Sequence, residues 1–202
     1  MKLIWNGHSC FTVNTNEGTV VLDPFEDGKV PGYKPLRLKA DLVLCSHEHA
    51  DHNARKCVTL SGKPCGVAVE KVASWHDDVH GAKRGPNTIH ILSAEGMRIA
   101  HLGDLGCALS ETQAEALKGL DALLIPVGGF YTISAEQAYE IIHQLQPRVV
   151  IPMHYRDAAH GYDVLSSKED FWHLCGDAVD YDTNCMTLTA DTPAQTAFLH
   201  QP

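Results

Sequence analysis

Ser46-His47-Glu48-His49-Ala50-Asp51-His52 packs three imidazoles and a carboxylate into seven residues. Imidazole and carboxylate are the ordinary ligands of zinc, iron and manganese. In an extended or tightly looped backbone His47 and His49 point the same way, because side chains alternate with period two, and Glu48 faces away from them. Asp51 and His52 follow at once, close enough to serve a second ion beside the first. A stable site takes about four ligands per ion, so the cluster needs partners from elsewhere in the chain. Three later segments offer them: Trp75-His76-Asp77-Asp78, His101-Leu102-Gly103-Asp104-Leu105-Gly106 and Ile151-Pro152-Met153-His154-Tyr155.

Working outward, apolar runs bounded by turn residues predict where these segments lie. Strands are expected at Lys2–Trp5, Cys10–Asn14 and Thr19–Leu22, with a hairpin turn at Asn16-Glu17-Gly18. Further strands are expected at Asp41–Cys45, Gly66–Val69, Thr88–Leu92, Met97–Leu102, Ala122–Val127, Val149–Met153 and Met186–Thr189. Residues 26–39, with two glycines and two prolines, read as an exposed loop. Ser110 and Ser134 are placed to cap helices, the second carrying Ala138, Ile141, Ile142 and Leu145 on one face. A short helix is expected within 167–175. His47, Asp104 and His154 each lie just beyond an apolar strand, and ligands at neighbouring strand ends converge on one edge of a sheet.

The bulk numbers narrow the partners. The chain has 202 residues, enough for one domain with a real core, and 44% hydrophobic residues, an ordinary globular balance. One domain over 1–202 is expected, without linker, repeat or low-complexity break. The net charge of -9 and the lack of any basic block argue against nucleic acid as a partner. No stretch approaches the roughly 18 apolar residues of a membrane span. The opening Met1–Gly7 has too short an apolar run for a signal peptide, and seven cysteines without a Cys-x-x-Cys pair read as reduced thiols, so a cytoplasmic setting is expected. The segment from about 165, with Phe171, Trp172 and Leu174, is free to cover the sheet or a second copy, which leaves a homo-oligomer open.

With these residues in hand, the chain resembles the metallo-β-lactamase superfamily over residues 1 to about 160. The resemblance rests on His47, His49, Asp51 and His52, then Gly103-Asp104, then His154. Gly7-His8-Ser9-Cys10-Phe11, Leu22-Asp23-Pro24 and Arg84-Gly85-Pro86-Asn87-Thr88 are similar to the compact L-ascorbate-6-phosphate lactonase-like branch of metal-dependent hydrolases. The resemblance implies an α/β fold, a four-layer αβ/βα sandwich of two mixed sheets with helices on the outer faces. It also implies His47, His49 and His76 on a first metal, Asp51, His52 and His154 on a second, and Asp104 bridging them. His101 competes with His76 for the first site. Two divalent ions are the implied cofactors, zinc first, with manganese or iron as alternatives.

Other residues carry weaker signals. Asp23 could orient a ligand histidine through its second ring nitrogen or simply form an Asp-Pro turn. His8 lines the pocket or closes a turn after Gly7. Arg84, Tyr131 and Tyr155 are candidates for the rim, with Arg84 suited to a phosphate or carboxylate of the substrate. Two ions about 3.5–4 Å apart can share a water and lower its pKa from about 15.7 to near 7, and Asp51 could take its proton. The expected activity is hydrolysis, by a metal-bridging hydroxide, of a small, anionic ester, lactone or phosphodiester. A glyoxalase-type thioesterase and a non-catalytic metal-binding or sensor module are the alternatives.

Overall fold

The computed structural model describes residues 1–202. β1 (Lys2–Trp5), β2 (Phe11–Thr15) and β3 (Gly18–Leu22) form the expected antiparallel meander. β4 (Leu38–Ala40) and β5 (Leu42–Leu44) follow, β5 pairing parallel to β3. β6 (Val58–Leu60) joins β4 in a two-stranded ribbon. β7 (Ala68–Trp75), β8 (Pro86–Ala94) and β9 (Met97–His101) make a second antiparallel run. Helices then alternate with strands: α1 (Glu111–Ala116), β10 (Ala122–Pro126), α2 (Ala135–Leu145), β11 (Val149–Met153) and α3 (Lys168–Trp172). The chain finishes with β12 (Ala178–Asp180), β13 (Cys185–Thr187) and β14 (Gln195–Phe198).

Two mixed sheets result, one ordered β13-β1-β2-β3-β5 and the other β12-β14-β11-β10-β9-β8-β7. The main apolar core draws on both sheets and on all three helices. β10 and β11 run parallel to each other and are buried at every position. Burial on both faces is why they read in sequence as continuous apolar runs and not as alternating ones. α1 and α2 start at the predicted serines. Ser110 with Gln113, and Ser134 with Gln137, form reciprocal capping boxes that satisfy the first free N–H groups.

Around the smaller sheet the structure corrects one expectation. Residues 26–39 are not simply an exposed loop, because Val30, Tyr33 and Leu36 are buried with Phe25, Val21 and Val58 in a second apolar cluster. Val20 and Leu22 of β3 face the main core while Val21 faces this cluster, so both faces of the strand are dry. Glycines and prolines broke the loop's periodicity and hid those anchors. The segment after 165 packs on its own chain, with Phe171 and Trp172 against Phe198 of β14. No helix is long and apolar enough to cross a membrane.

Strand direction sets the position of the site. β1, β3 and β5 run one way in the first sheet, and β7, β9, β10 and β11 share a direction in the second. The histidines and aspartates of interest follow the C-terminal ends of these strands: His8 after β1, Asp23 after β3, residues 46–52 after β5, His76 after β7, Asp104 after β9 and His154 after β11.

Candidate metal centre

Asp104 stands at the middle of the cluster. Its Oδ2 lies 3.2 Å from His52 Nε2, 3.2 Å from His76 Nε2, 3.3 Å from His154 Nε2 and 4.0 Å from His47 Nε2. Two groups form around it. Ligand atoms of His47, His49 and His76 lie within 4.8 Å of one another, and so do those of His8, His52 and His154. Asp51 joins the second group, its Oδ2 3.9 Å from His52 Nε2 and 3.6 Å from His8 Nε2.

The chain holds Asp104 by its backbone. The N–H of Asp104 donates to Asn87 Oδ1 at 3.1 Å, and Asn87 Nδ2 donates to Leu102 O at 2.9 Å and to Ser74 Oγ at 2.7 Å. Gly103 has a left-handed φ of 56°, and a Cβ there would collide with Ser46 and Asn87. Only glycine lets the β9 turn approach the histidine loop this closely.

Asp23 organises the other side. Its carboxylate accepts the Ser46 N–H at 2.6 Å, the Ser46 hydroxyl at 2.5 Å and the His52 ring at Nδ1, 2.8 Å away. The Ser46 hydroxyl also lies 2.9 Å from His47 Nδ1. One buried carboxylate thus fixes the orientation of two imidazoles, leaving their Nε2 atoms turned toward Asp104. Such orienting partners set both the tautomer and the basicity of a metal-binding histidine.

The electrostatics favour a cation. Burial opposes charge on His52, yet Asp104 and Asp23 beside it outweigh burial and hold its imidazolium well above the ordinary range. Burial likewise pushes the Asp104 carboxyl up, and His154 and His52 overcome it and hold it well below. Burial and the neighbouring His52 keep His47 neutral, lowering it to about 3. Burial, with His154, lowers His8 to about 4. Several buried atoms around Asp104 have no hydrogen-bond partner, among them His47 Nε2, His52 Nε2 and Asp104 Oδ1. Orphaned buried polar atoms are rare and costly, and a convergent set of them fits divalent ions.

A cavity of about 280 Å³ opens onto this centre, lined by His49, Asp51, His76, Arg84, Asp104, Tyr131 and Tyr162. Arg84 lies 5.6 Å from the centre of the Tyr131 ring and donates through Nη2 to Phe130 O at 3.1 Å. Its loop hangs on Asp77, whose carboxylate accepts N–H bonds from Val79, Gly81, Lys83 and Arg84 at 2.7–3.0 Å. Burial would raise the Asp77 carboxyl, but those four bonds outweigh it and bring it down to about 2.

The structure brings His47, His49, Asp51, His52, His76, Asp104 and His154 together, with His8 and Asp23 beside them. Two expectations change. His101 does not compete with His76, since its Nε2 lies 2.8 Å from Ser9 O and its Nδ1 accepts the Gly103 N–H at 3.2 Å. Tyr155 is not on the rim. The chain leaves β11 through a left-handed His154 at φ 56°, and Tyr155 beyond it is buried with its ring 5.4 Å from Trp5. Sequence reasoning missed Tyr162, whose hydroxyl donates to Asp51 Oδ2 at 3.3 Å. It also missed Asp77 and the bond from Asn87 to the Asp104 backbone.

His90, the cross-strand neighbour of His101, gives a prediction. Burial holds it neutral, lowering it to about 4, so between the ordinary value of about 6.5 and pH 4 the unfolded chain takes up a proton that the folded chain refuses. Stability therefore falls as pH falls through that window. His90→Leu is expected to lose less stability than the wild type on going from pH 7 to pH 4.5, by about 2 to 3 kcal/mol in urea unfolding.

The arrangement of sheets, and histidines and aspartates gathered at one edge of them, is that of a metal-dependent enzyme class. The chain belongs to the beta-lactamase superfamily, whose domain model, described as "Beta-lactamase superfamily domain", matches residues 2–154. A UPF0173 metal-dependent hydrolase of Thermoplasma acidophilum is 28% identical over 214 residues, covering 90% of this chain and 93% of that protein. A second UPF0173 metal-dependent hydrolase, from Archaeoglobus fulgidus, is 31% identical over 195 residues, covering 77% and 83%. The crystal structure of a protein of Thermotoga maritima, described as a zinc-dependent hydrolase of the metallo-β-lactamase superfamily, superposes with a TM-score of 0.79 at 30% identity, covering 100% of this chain and 99% of that one.

Proposed function

We propose that this metal-dependent hydrolase cleaves a small anionic ester, lactone or phosphodiester at a centre of two divalent ions, zinc first among them. The observation that carries the reading is Asp104 Oδ2, set among four imidazole nitrogens 3.2–4.0 Å away at the inner end of the cavity. His47, His49 and His76 would hold one ion, Asp51, His52 and His154 the other, and Asp104 would reach both. When bound, such ions supply a Lewis acid for a carbonyl or phosphoryl oxygen and acidify water at neutral pH.

The chain's own residues do the rest. Burial would raise the Asp51 carboxyl, but His8 and His52 hold it well below the ordinary range, so it stands ionised with Oδ2 free of a proton when attack begins. The Tyr162 hydroxyl, donating to that same oxygen, fixes it and faces the cavity. Arg84 is the one cation lining the cavity and suits an anionic group on the substrate. At about 280 Å³ the cavity lies at the lower end of ligand sites, about 300 Å³, which favours a small metabolite over a polymer. The Gly7–Phe11 and Arg84–Thr88 segments resemble the lactonase-like branch, which makes phosphorylated sugar lactones the first substrates to try.

The test combines elemental analysis of the purified protein with a panel of phosphorylated lactones, neutral lactones, esters and phosphodiesters. Turnover of an anionic member, abolished by chelator and restored by a divalent metal, is the expected result. A protein carrying two equivalents of metal that turns over nothing in the panel would sink the reading. Arg84→Ala is expected to raise KM for the anionic substrate about 10- to 100-fold, the loss of one hydrogen bond to a charged group, with kcat less affected. Steady-state kinetics against a neutral analogue, which should be indifferent to the change, checks it.

A further inference from the structure

The metal assignment above uses five histidines and leaves a sixth, His8, without employment. His8 is completely buried, and neither Nδ1 nor Nε2 has a hydrogen-bond partner. Folding rarely strands both nitrogens of an imidazole away from water, because the desolvation of each goes uncompensated. The ring is also not where it is by default. His8 holds a left-handed φ of 52°, a conformation uncommon outside glycine and held here by its surroundings.

The enforcement is visible. Gly7, with φ 101°, makes the turn out of β1, and the face of Tyr33 leaves no room there for a Cβ. The carbonyl of His8 accepts the indole N–H of Trp5 at 2.9 Å and the backbone N–H of His154 at 3.2 Å. His154 itself is left-handed at φ 56°. Two strained histidines from different sheets are therefore locked backbone to backbone, with their rings 4.1 Å apart. The His8 ring lies 5.3 Å from that of His52, and one nitrogen of each of the three lies within 4.8 Å of the others. Asp51 Oδ2, at 3.6 Å from His8 Nε2, is beyond hydrogen-bond range.

We infer that His8 is a ligand of the second ion, so that this ion is held by the imidazoles of His8, His52 and His154 together with the carboxylates of Asp51 and Asp104. The inference rests on the two-ion reading of the centre. It gives the stranded nitrogens of His8 a partner and the strained turn a purpose. It also has a consequence for the metal. Imidazole-rich sites suit zinc, copper, iron and nickel, whereas carboxylate, carbonyl and water shells suit magnesium, calcium and manganese. A third imidazole would turn the second site toward the former group.

The measurement on the intact protein is NMR of the form loaded with Co2+, in which ring protons of coordinating histidines are shifted far outside the normal window. Six shifted imidazoles are expected, and five would overturn the inference. His8→Gln assigns the sixth, because glutamine offers a hydrogen-bond donor of similar reach but ligates poorly. His8→Asn, whose side chain tolerates left-handed φ, repeats the test without disturbing the turn. Each variant is expected to keep the first ion and to lose affinity for the second by more than the about 10- to 100-fold seen when a mere supporting partner is removed, read by titration with Zn2+. A glutamine variant that binds both ions with wild-type affinity overturns the ligand role. A wild type that takes up only one ion overturns the two-ion reading as well, which keeps the two failures apart.

Discussion

Asp104→Asn is expected to lower turnover by more than 100-fold and to cut metal uptake to one ion or none, measured by elemental analysis after dialysis against Zn2+. The substitution keeps size and one acceptor oxygen but removes the charge. Four imidazole nitrogens then converge on a neutral amide, and the loss exceeds the about 10- to 100-fold of removing a group that only supports a ligand. The backbone N–H of residue 104 would still reach Asn87, so the turn survives. In the chelated protein the same change has a pH dependence of defined sign. Asp104 and Asp23 hold the His52 imidazolium well above its ordinary value of about 6.5, so their contribution is complete below that pH and fades as pH rises through the raised value. The destabilisation by Asp104→Asn is therefore larger at pH 6 than at alkaline pH. Equal destabilisation across that range would show that Asp104 does not stabilise the imidazolium.

How legible the centre is in the sequence follows from the strands that carry it. β5, β9 and β11 are short apolar runs, and each ends one or a few residues before a ligand-type side chain, so His47, Asp104 and His154 could be placed without coordinates. β7 could not be read so well. Its expected extent, Gly66–Val69, became Ala68–Trp75, because it is an edge strand whose exposed Glu70 and Lys71 interrupt any apolar run. His76 consequently looked like a loop residue several positions from a strand, when it directly follows the last strand residue. β14 was missed for a different reason: Gln195 and Thr196 are buried but polar, so no hydrophobic pattern announced them.

The support around the site was less legible still. Asn87 and Asp77 act through backbone N–H groups, and no spacing in the sequence marks which amide an amide or carboxylate will meet. Tyr162 reaches Asp51 across 111 positions of chain, from a loop with no periodicity of its own. The error over Tyr155 has the opposite origin. Adjacency to a site residue suggested access to the cavity, but the chain turns through a left-handed His154 and packs Tyr155 against Trp5. Pattern finds residues on regular elements, whereas contacts made by loops depend on how those elements pack.

At Asp51 chemistry and architecture are read by separate measurements. Its side chain is 20% exposed and meets the Tyr162 hydroxyl on one side and the His8 and His52 rings, 3.6 and 3.9 Å away, on the other. Removing it takes away the carboxylate that faces the buried His52 and His8 rings, so Asp51→Ala is expected to cost the chelated protein about 1 to 3 kcal/mol at neutral pH in urea unfolding while leaving it folded. Catalysis should respond very differently. A positioned proton acceptor contributes about 10²- to 10⁴-fold, so kcat is expected to fall by that factor. Part of the loss will come from a weakened second ion, and saturating Zn2+ distinguishes the parts. The deficit that persists when both ions are bound belongs to proton transfer. If kcat of Asp51→Ala returned to wild type under saturating Zn2+, Asp51 would be a ligand and nothing more, and the proton would have to leave through another group in the cavity.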